Sequence, residues 1–259
     1  MSEDLYLPVT DPAEIDDLLD GFPAVVDRES FVQFVRGFPR NYLSRTPKVE
    51  IVKHYLISET LDTSEVISLI SPVEDWWKLS LLTRDRTLLF ARISGVLSCF
   101  GMNILEAEAF ANARSLALDT LVFEDREGHF RDSAERQRLQ VLLEDVLKNR
   151  VCVEKLIEEK WPDISEWETQ DLTVSLDNGS HPSLTVMRIR CRDHFGLLYL
   201  VSHHLSDMGF SIEIARVRTH HQEADDEFYL LSGGRRLNSE EMAGLEHDFA
   251  SFRVPRFES

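Results

Sequence analysis

Apolar residues in the middle of the chain first follow the spacing of a strand and then that of a helix. Residues 77–81 alternate apolar and polar side chains, which is the two-residue period of a half-buried strand. Over residues 89–100 the apolar positions instead recur every three to four residues, which indicates an amphipathic helix. Gly101 follows at the position where a left-handed helix cap is favoured.

The same pattern occurs twice in the chain. Residues 103–111 and 116–124 predict a hairpin after the first helix, and residues 133–148 predict a second amphipathic helix. Residues 83–111 then align with residues 191–219 at a constant offset, so that Gly101, for example, falls on its counterpart in the second copy. A repeat of this length indicates a duplicated structural unit.

The second copy repeats the order of elements. It predicts a strand over 185–191, a helix over 197–208 closed by Gly209, a hairpin of 211–219 and 226–232, and a helix over 239–252. Between the copies lie a short helix at 151–160 and a strand at 171–177, which either closes the first sheet or pairs with the second. The order strand-helix-strand-strand-helix-strand gives an antiparallel sheet with both helices on one face. We therefore predict an α+β protein of two ferredoxin-like βαββαβ domains.

The segment before the repeats has a helical pattern and is predicted to be separate from them. A capped helix is predicted from Asp11 to Leu19, and a second helix carries apolar residues over 31–38. A third begins near Pro47 with an apolar stripe of Val49, Val52, Tyr55 and Leu56. The predicted organisation is a helical segment over 1–72, a first domain over 73–150, a linker over 151–180 and a second domain over 181–259.

Charge excludes some classes of partner. The net charge is −18, from 28 Lys and Arg against 46 Asp and Glu, and no dense basic run is present. Such a surface repels phosphate backbones and anionic lipid, so we predict that the protein binds neither nucleic acid nor membranes. The acidic start of the chain does not resemble a signal peptide, and no apolar stretch is long enough to span a bilayer. A cytoplasmic protein is expected.

Cofactor chemistry is not indicated. Three widely spaced cysteines, Cys99, Cys152 and Cys191, form no CxxC pair and no disulfide framework. His203 and His204 are adjacent on a predicted helix and point in different directions, so no metal site is predicted. No catalytic set of residues and no cofactor are predicted. Adjacent acids such as Asp225 and Asp226 are interpreted as a solvated face.

The motifs RDRTLLFARISGVLSCFGMNILEA and RDHFGLLYLVSHHLSDMGFSIEIARVRT resemble ACT domains, which are small regulatory modules that sense amino acids. More narrowly, the pair is similar to the C-terminal tandem ACT region of the bifunctional uridylyltransferase/uridylyl-removing enzymes of PII nitrogen signalling. The resemblance extends over residues 37–240. It implies a homodimer, an amino-acid ligand such as glutamine, and a protein partner in nitrogen signalling.

The catalytic motifs of that family are not found. Neither the Gly-Ser and paired-aspartate motif of its nucleotidyltransferase domain nor the His-Asp ligands of its hydrolytic domain can be identified. We therefore expect a regulatory region that is not an enzyme.

Six residues are candidates for ligand binding. In the second copy the turn before the helix contains Asp193, His194 and Gly196, and a glycine there lets a carboxylate approach the helix N-terminus. The equivalent turn of the first copy contains Asp85, but Leu88 replaces the glycine, which makes this turn doubtful as a binding loop.

The resemblance adds a polar residue at the start of the second strand of each copy. This position holds Asn103 in the first copy and Ser211 in the second. Because ACT sites usually form between paired domains, Asn103 and Gly196 can belong to one composite site, or both sites can have been lost. Each candidate also has a structural alternative, since Asp85 and Asp193 could be helix N-caps and Asn103 could satisfy a turn.

Two classes of function remain open. The chain is either a non-catalytic sensor of a small amino acid or a ligand-independent interaction module that partners a nitrogen-signalling enzyme or a transcription regulator. A true uridylyltransferase is a third alternative, which the missing nucleotide motif argues against.

Overall fold

A computed structural model describes residues 8–10, 15, 26–61, 66–161, 172–193, 196–220 and 223–250. The α-helices are α1 (Arg28–Val35), α2 (Arg40–Arg45), α3 (Lys48–Ser58), α4 (Leu89–Cys99), α5 (Ser133–Leu147), α6 (Val153–Lys160), α7 (Leu197–Asp207) and α8 (Ser239–Ala250). The strands are β1 (Val66–Val73), β2 (Trp76–Arg84), β3 (Asn103–Ala111), β4 (Leu116–Glu124), β5 (Thr173–Asp177), β6 (Thr185–Arg192), β7 (Phe210–Arg216), β8 (Thr219–His220) and β9 (Glu223–Ser232). The helix predicted from Asp11 to Leu19 lies almost wholly outside the described residues.

The two repeats form one continuous sheet. Among the described residues nine strands join it, in the order β1-β2-β4-β3-β7-β9-β6-β5, with β8 paired to β9. All pairings are antiparallel, and the repeats meet where Ala107 of β3 lies opposite Ala215 of β7. The α+β prediction of two ferredoxin-like units is confirmed, and their sheets are fused edge to edge.

The edge strand of each unit precedes its first helix instead of following its second. The predicted strand at 171–177 is β5, and it pairs with β6 of the second unit. In the first unit the same place is taken by β1, which pairs along its whole length with β2. The prediction that residues 1–72 form only a helical segment is therefore wrong for residues 66–72, which belong to β1. The two-residue turn at Glu74 and Asp75 and the antiparallel pairing with β2 make β1 one arm of a hairpin.

The first helices of the two units pack side by side on one face of the sheet. α4 contacts α7 closely because Gly95 has no side chain: a Cβ there would lie only 2.8 Å from Cδ2 of Tyr199. Both helices end as predicted, with Gly101 (φ 76°) and Gly209 (φ 83°) in the left-handed region. One apolar core runs through both units on this face.

The opposite face of the first unit is covered by the N-terminal helices. Phe31, Phe34 and Tyr55 of α1 and α3 belong to one buried cluster with Leu82, Phe110, Leu116 and Leu118 of the sheet. Asn112 Nδ2 donates to the Phe34 carbonyl at 2.8 Å, and Ala113 N donates to the Arg36 carbonyl at 2.9 Å. The expectation that this segment is separate from the repeats is therefore wrong.

The apolar stripe predicted for the third helix is also partly wrong. Val49 is 61% exposed and Leu56 is 40% exposed, whereas Ile51 and Tyr55 are buried. The helix turns a different face to the sheet because the aromatic cluster around Tyr55 determines its orientation.

Candidate functional site

Two clefts lie where the repeats meet, and each takes residues from both units. The antiparallel pairing of β3 with β7 relates the units by an approximate twofold axis, so the strand-to-helix turn of each unit faces the second strand of the other. We call them the amide cleft, which contains Asn103, and the acidic cleft, which contains Asp85.

The amide cleft brings together predicted residues from both copies. Asn103 and Arg126 of the first unit and Asp193, Gly196 and Asp226 of the second line a cavity of about 90 Å³. Asn103 and Asp193 are partly buried, and Arg126 is exposed at the rim. The remaining candidate of this turn, His194, lies outside the described residues.

Glu124 holds the two polar groups of the first unit in place. Asn103 Nδ2 donates to Glu124 Oε2 at 3.3 Å, and Arg126 Nε donates to the same oxygen at 2.8 Å. The pKa of Glu124 is lowered, chiefly by the hydrogen bond from Arg126. The cleft thus presents an amide and a guanidinium that one carboxylate orients together.

Helix α7 begins at this cleft without a side-chain cap. Its N-cap is Gly196, whose φ of 79° lies in the left-handed region, and the α4 N-cap is Leu88 with φ 62°. The N-cap positions are thus held by Gly196 and Leu88, and the alternative that Asp193 and Asp85 hold them is wrong. Unpaired N–H groups at a helix start and the helix dipole favour an anion.

Asp226 is a site residue that the sequence interpretation missed. It lies opposite Ile189 in the sheet, is 1% exposed, and accepts a hydrogen bond from Arg218 N at 3.1 Å. Burial raises its pKa to about 7, and the negative charge of Asp193 adds to this effect. Its interpretation as part of a solvated face is therefore wrong. The signal in the sequence is an acid on the inward-facing side of a strand, between Ala224 and Phe228.

The acidic cleft is the counterpart of the amide cleft across the twofold axis. It has a volume of about 600 Å³ and is lined by the predicted residues Asp85 and Ser211, together with Leu88, Asp119 and Glu213. Asp85 and Ser211 are exposed. Leu88 takes the same left-handed conformation as Gly196, and its side chain packs partly against the common core.

Two acids of this cleft were also not predicted. Asp119 is 2% exposed, and its Oδ2 has no hydrogen-bond partner among the described residues. Its pKa is raised well above the ordinary value by burial and by the charges of Asp85 and Glu213. Burial, reinforced by the charge of Asp85, raises the pKa of Glu213 to about 7. Glu213 stands at a β-bulge in β7, between Ile212 and Ile214.

The described residues offer neither a metal cluster nor a membrane-spanning helix. No group of three or more metal-binding side chains is positioned to hold an ion within the described residues. In the same part of the chain, no helix is both long and apolar enough to cross a bilayer.

Fold and clefts together define a tandem pair of ferredoxin-like units with two clefts at their junction, an architecture consistent with paired ACT domains. No family model matches the chain. Individual proteins do resemble it, among them several bifunctional uridylyltransferase/uridylyl-removing enzymes.

The similarity covers part of those enzymes. The enzyme of Rhodospirillum rubrum is 35% identical over 153 residues, which are 57% of this chain and 16% of that protein. The enzyme of Gluconobacter oxydans is 26% identical over 220 residues, or 82% of this chain and 23% of that protein. That of Zymomonas mobilis is 25% identical over 213 residues, 79% of this chain and 23% of its own length. The chain therefore resembles a partial region of these relatives, consistent with their C-terminal regulatory region.

Proposed function

We propose that this chain is a non-catalytic regulatory protein that binds a small amino acid in the amide cleft. The observation that carries the proposal is the meeting of Asn103 from one unit with Asp193 and Gly196 from the other in a single cavity. A cavity of about 90 Å³ suits a small ligand. The similarity to part of an enzyme, without its catalytic motifs, supports a regulatory role.

The two ends of an amino acid would find complementary groups in this cleft. The carboxylate would accept from N–H groups at the start of α7 and from the guanidinium of Arg126. The ammonium group would donate to Asp193 and Asp226, and the Asn103 amide oxygen is a further acceptor because its nitrogen already donates to Glu124. Ionised Asp226 would be favoured once a cation lies beside it.

Regulation would follow from the position of the ligand across two units. A ligand that contacts both units binds more tightly to the arrangement in which both sets of contacts can form. It shifts the population toward that arrangement by the difference between its affinities for the two arrangements. Nitrogen or amino-acid metabolism is the proposed context, glutamine is the first ligand to test, and the homodimer implied by the resemblance remains a prediction.

Isothermal titration calorimetry against the twenty amino acids tests the proposal. Saturable binding of one or two amino acids is expected, with loss of binding in Asn103→Ala and Gly196→Leu. Ser211→Ala is the matched control, because Ser211 holds the position of Asn103 in the acidic cleft. Absence of binding across the panel by folded protein would refute the proposal.

A second candidate is a ligand-independent interaction module. Leu88 in place of the glycine of the first turn favours it, as do the exposed side chains of Val49 and Leu56 on α3. A partner that co-purifies equally well with wild type and with Gly196→Leu, while no amino acid binds, would support this function over sensing.

A further inference from the structure

The acidic cleft brings three carboxyl groups together, and the described residues place no ion-pair partner beside them. Asp85, Asp119 and Glu213 all line it, and in the described part of the chain none of the three forms an ion pair. The negative charge of Asp85 raises the pKa of both Asp119 and Glu213, and the charge of Glu213 also raises the pKa of Asp119. Burying unpaired carboxylates is costly unless they are protonated or meet a positive charge.

Arg86 lines the cleft, but its guanidinium donates hydrogen bonds to groups other than the three carboxylates. Its Nη1 donates to the Leu147 carbonyl at 2.6 Å, its Nη2 to Thr83 Oγ1 at 3.3 Å, and its Nε to the Arg84 carbonyl at 3.4 Å. These bonds direct the guanidinium toward the end of α5 and away from the three carboxylates. Among the described residues, Arg86 therefore does not serve as the ion-pair partner of these acids.

Asp119 gives an independent indication that the cleft accepts a hydrogen-bond donor. Its carboxylate is 2% exposed and lines the cleft, and its Oδ2 has no partner among the described residues. Buried polar atoms are nearly always satisfied in folded proteins, so an unsatisfied carboxylate oxygen beside a cavity calls for a donor.

We propose that the acidic cleft is a second binding site, which takes a protonated aliphatic amine between Asp119, Glu213 and Asp85. This site is distinct from the amide cleft and does not depend on amino-acid binding there. The cavity of about 600 Å³ is large enough for an extended amine, and Leu88 offers apolar contact to its carbon chain.

The same residues argue against other ligands. An amino acid would bring its carboxylate into contact with three acids. In addition, the N-cap of the adjacent helix is Leu88 and not a glycine such as Gly196, so a side chain stands where a ligand carboxylate would approach the helix N-terminus. A metal ion is disfavoured because the described residues contain no group of three or more ligands placed to hold one. An ammonium group donates hydrogen bonds in several directions and requires no fixed coordination geometry.

Calorimetric titration of the full chain with 1,4-diaminobutane at pH 8 tests the inference. 1,4-Butanediol is the neutral control of equal length, and Mg²⁺ is the metal control. Binding of the diamine is expected, with neither control binding. Asp119→Asn and Glu213→Gln should each weaken diamine binding by at least about tenfold, whereas Asp226→Asn, at the equivalent position of the other unit, should not.

The pH dependence adds a second readout. Glu213 has a pKa of about 7, and the charged groups that line the cleft with it are Asp85, Asp119 and Arg86. The amine binds ionised carboxylates, so affinity should rise between pH 6 and pH 8, and less so in Glu213→Gln. No diamine binding, equal binding of the diol, preference for Mg²⁺, or loss in Asp226→Asn alone would each overturn the proposal. The first three outcomes leave amino-acid binding in the amide cleft untouched, and Gly196→Leu tests that binding separately; the fourth would place the diamine in the amide cleft instead.

Discussion

Asp119 and Asp226 occupy the same position in the two halves of the sheet. Asp119 lies opposite Leu81 in the first unit, and Asp226 lies opposite Ile189 in the second. Each is almost completely buried, and each lies near the acid of its own strand-to-helix turn, Asp85 or Asp193. The duplication has therefore placed one buried carboxylate under each cleft, where it can respond to a bound cation.

The pKa of Asp226 predicts a pH-dependent stability. An acid whose pKa rises from 3.8 to about 7 on folding holds its proton more tightly in the folded state, so stability falls as the pH rises through this window. Asp226→Asn removes this loss and should be more stable than wild type at pH 8 by about 2–4 kcal/mol, with the gain shrinking toward pH 4. Urea unfolding at several pH values measures it.

Asp225→Asn is the control for that experiment. Asp225 is partly exposed and pairs with Arg190 at 3.1 Å, so its removal should not stabilise the protein at pH 8. Equal responses of the two variants would contradict the assignment of the effect to burial.

Because the described N-terminal helices cover only the first unit, substitutions at equivalent positions of the two units should differ in their cost in stability. Leu82 is fully buried beneath these helices, whereas Arg190, its counterpart in the second unit, is exposed and paired with Asp225. Leu82→Ala should cost about 2–5 kcal/mol through lost packing and the cavity left behind. Arg190→Ala should cost less than about 1 kcal/mol. Thermal unfolding compares the two, and equal costs would show that the helices do not cover this face in solution.

Gly37 is predicted to be the most sensitive glycine of that interface. It has φ 94°, and a Cβ there would lie 2.2 Å from the backbone nitrogen of Ala113. Gly37→Ala should separate the helices from the sheet and increase limited proteolysis of the N-terminal segment. Gly101→Ala is the control: Gly101 also has positive φ, but no atom lies within 4 Å, so about 1–2 kcal/mol of backbone strain is expected. Similar proteolysis of both variants would argue against the close contact.

The cysteines should differ in reactivity. Burial raises the pKa of Cys99 to about 11 and that of Cys191 to about 12, so both remain thiols near neutral pH. Cys152 is exposed. Iodoacetamide at pH 8 should therefore alkylate Cys152 first, as peptide mass spectrometry would show, and the other two only on unfolding. Rapid labelling of Cys191 in folded protein would contradict its partial burial in the sheet.

Local patterns predicted most of the elements. The hairpin of β3 and β4 lies at 103–111 and 116–124 as predicted, and Gly101 and Gly209 end their helices in the left-handed region. These features depend on side-chain periodicity and on the conformational freedom of glycine, which are properties of short segments. Edge strand β1 was missed because its outer half is exposed and it forms only by pairing with β2.

The sequence of β2 indicated only in part that the N-terminal helices cover one face of the sheet. β2 was predicted to be half-buried, but its residues from Leu79 to Thr83 are buried on both sides. The sequence signal for the covering helices is Leu82, an apolar residue at a position where the second unit has Arg190. What covers it could not be derived from the strand, because hydrophobic contact is not directional.

The sequence by itself determined the duplicated α+β units, the glycines that end their first helices and the residue types at each turn, because these follow from local spacing and backbone preferences. Only the tertiary structure decided that the two sheets join through β3 and β7 and that Asn103 therefore shares a cleft with Gly196. It also decided that Asp119, Glu213 and Asp226 lie in buried surroundings that raise their pKa values. Strand pairing between distant segments and desolvation depend on everything packed around a residue, and no short stretch of sequence contains that information.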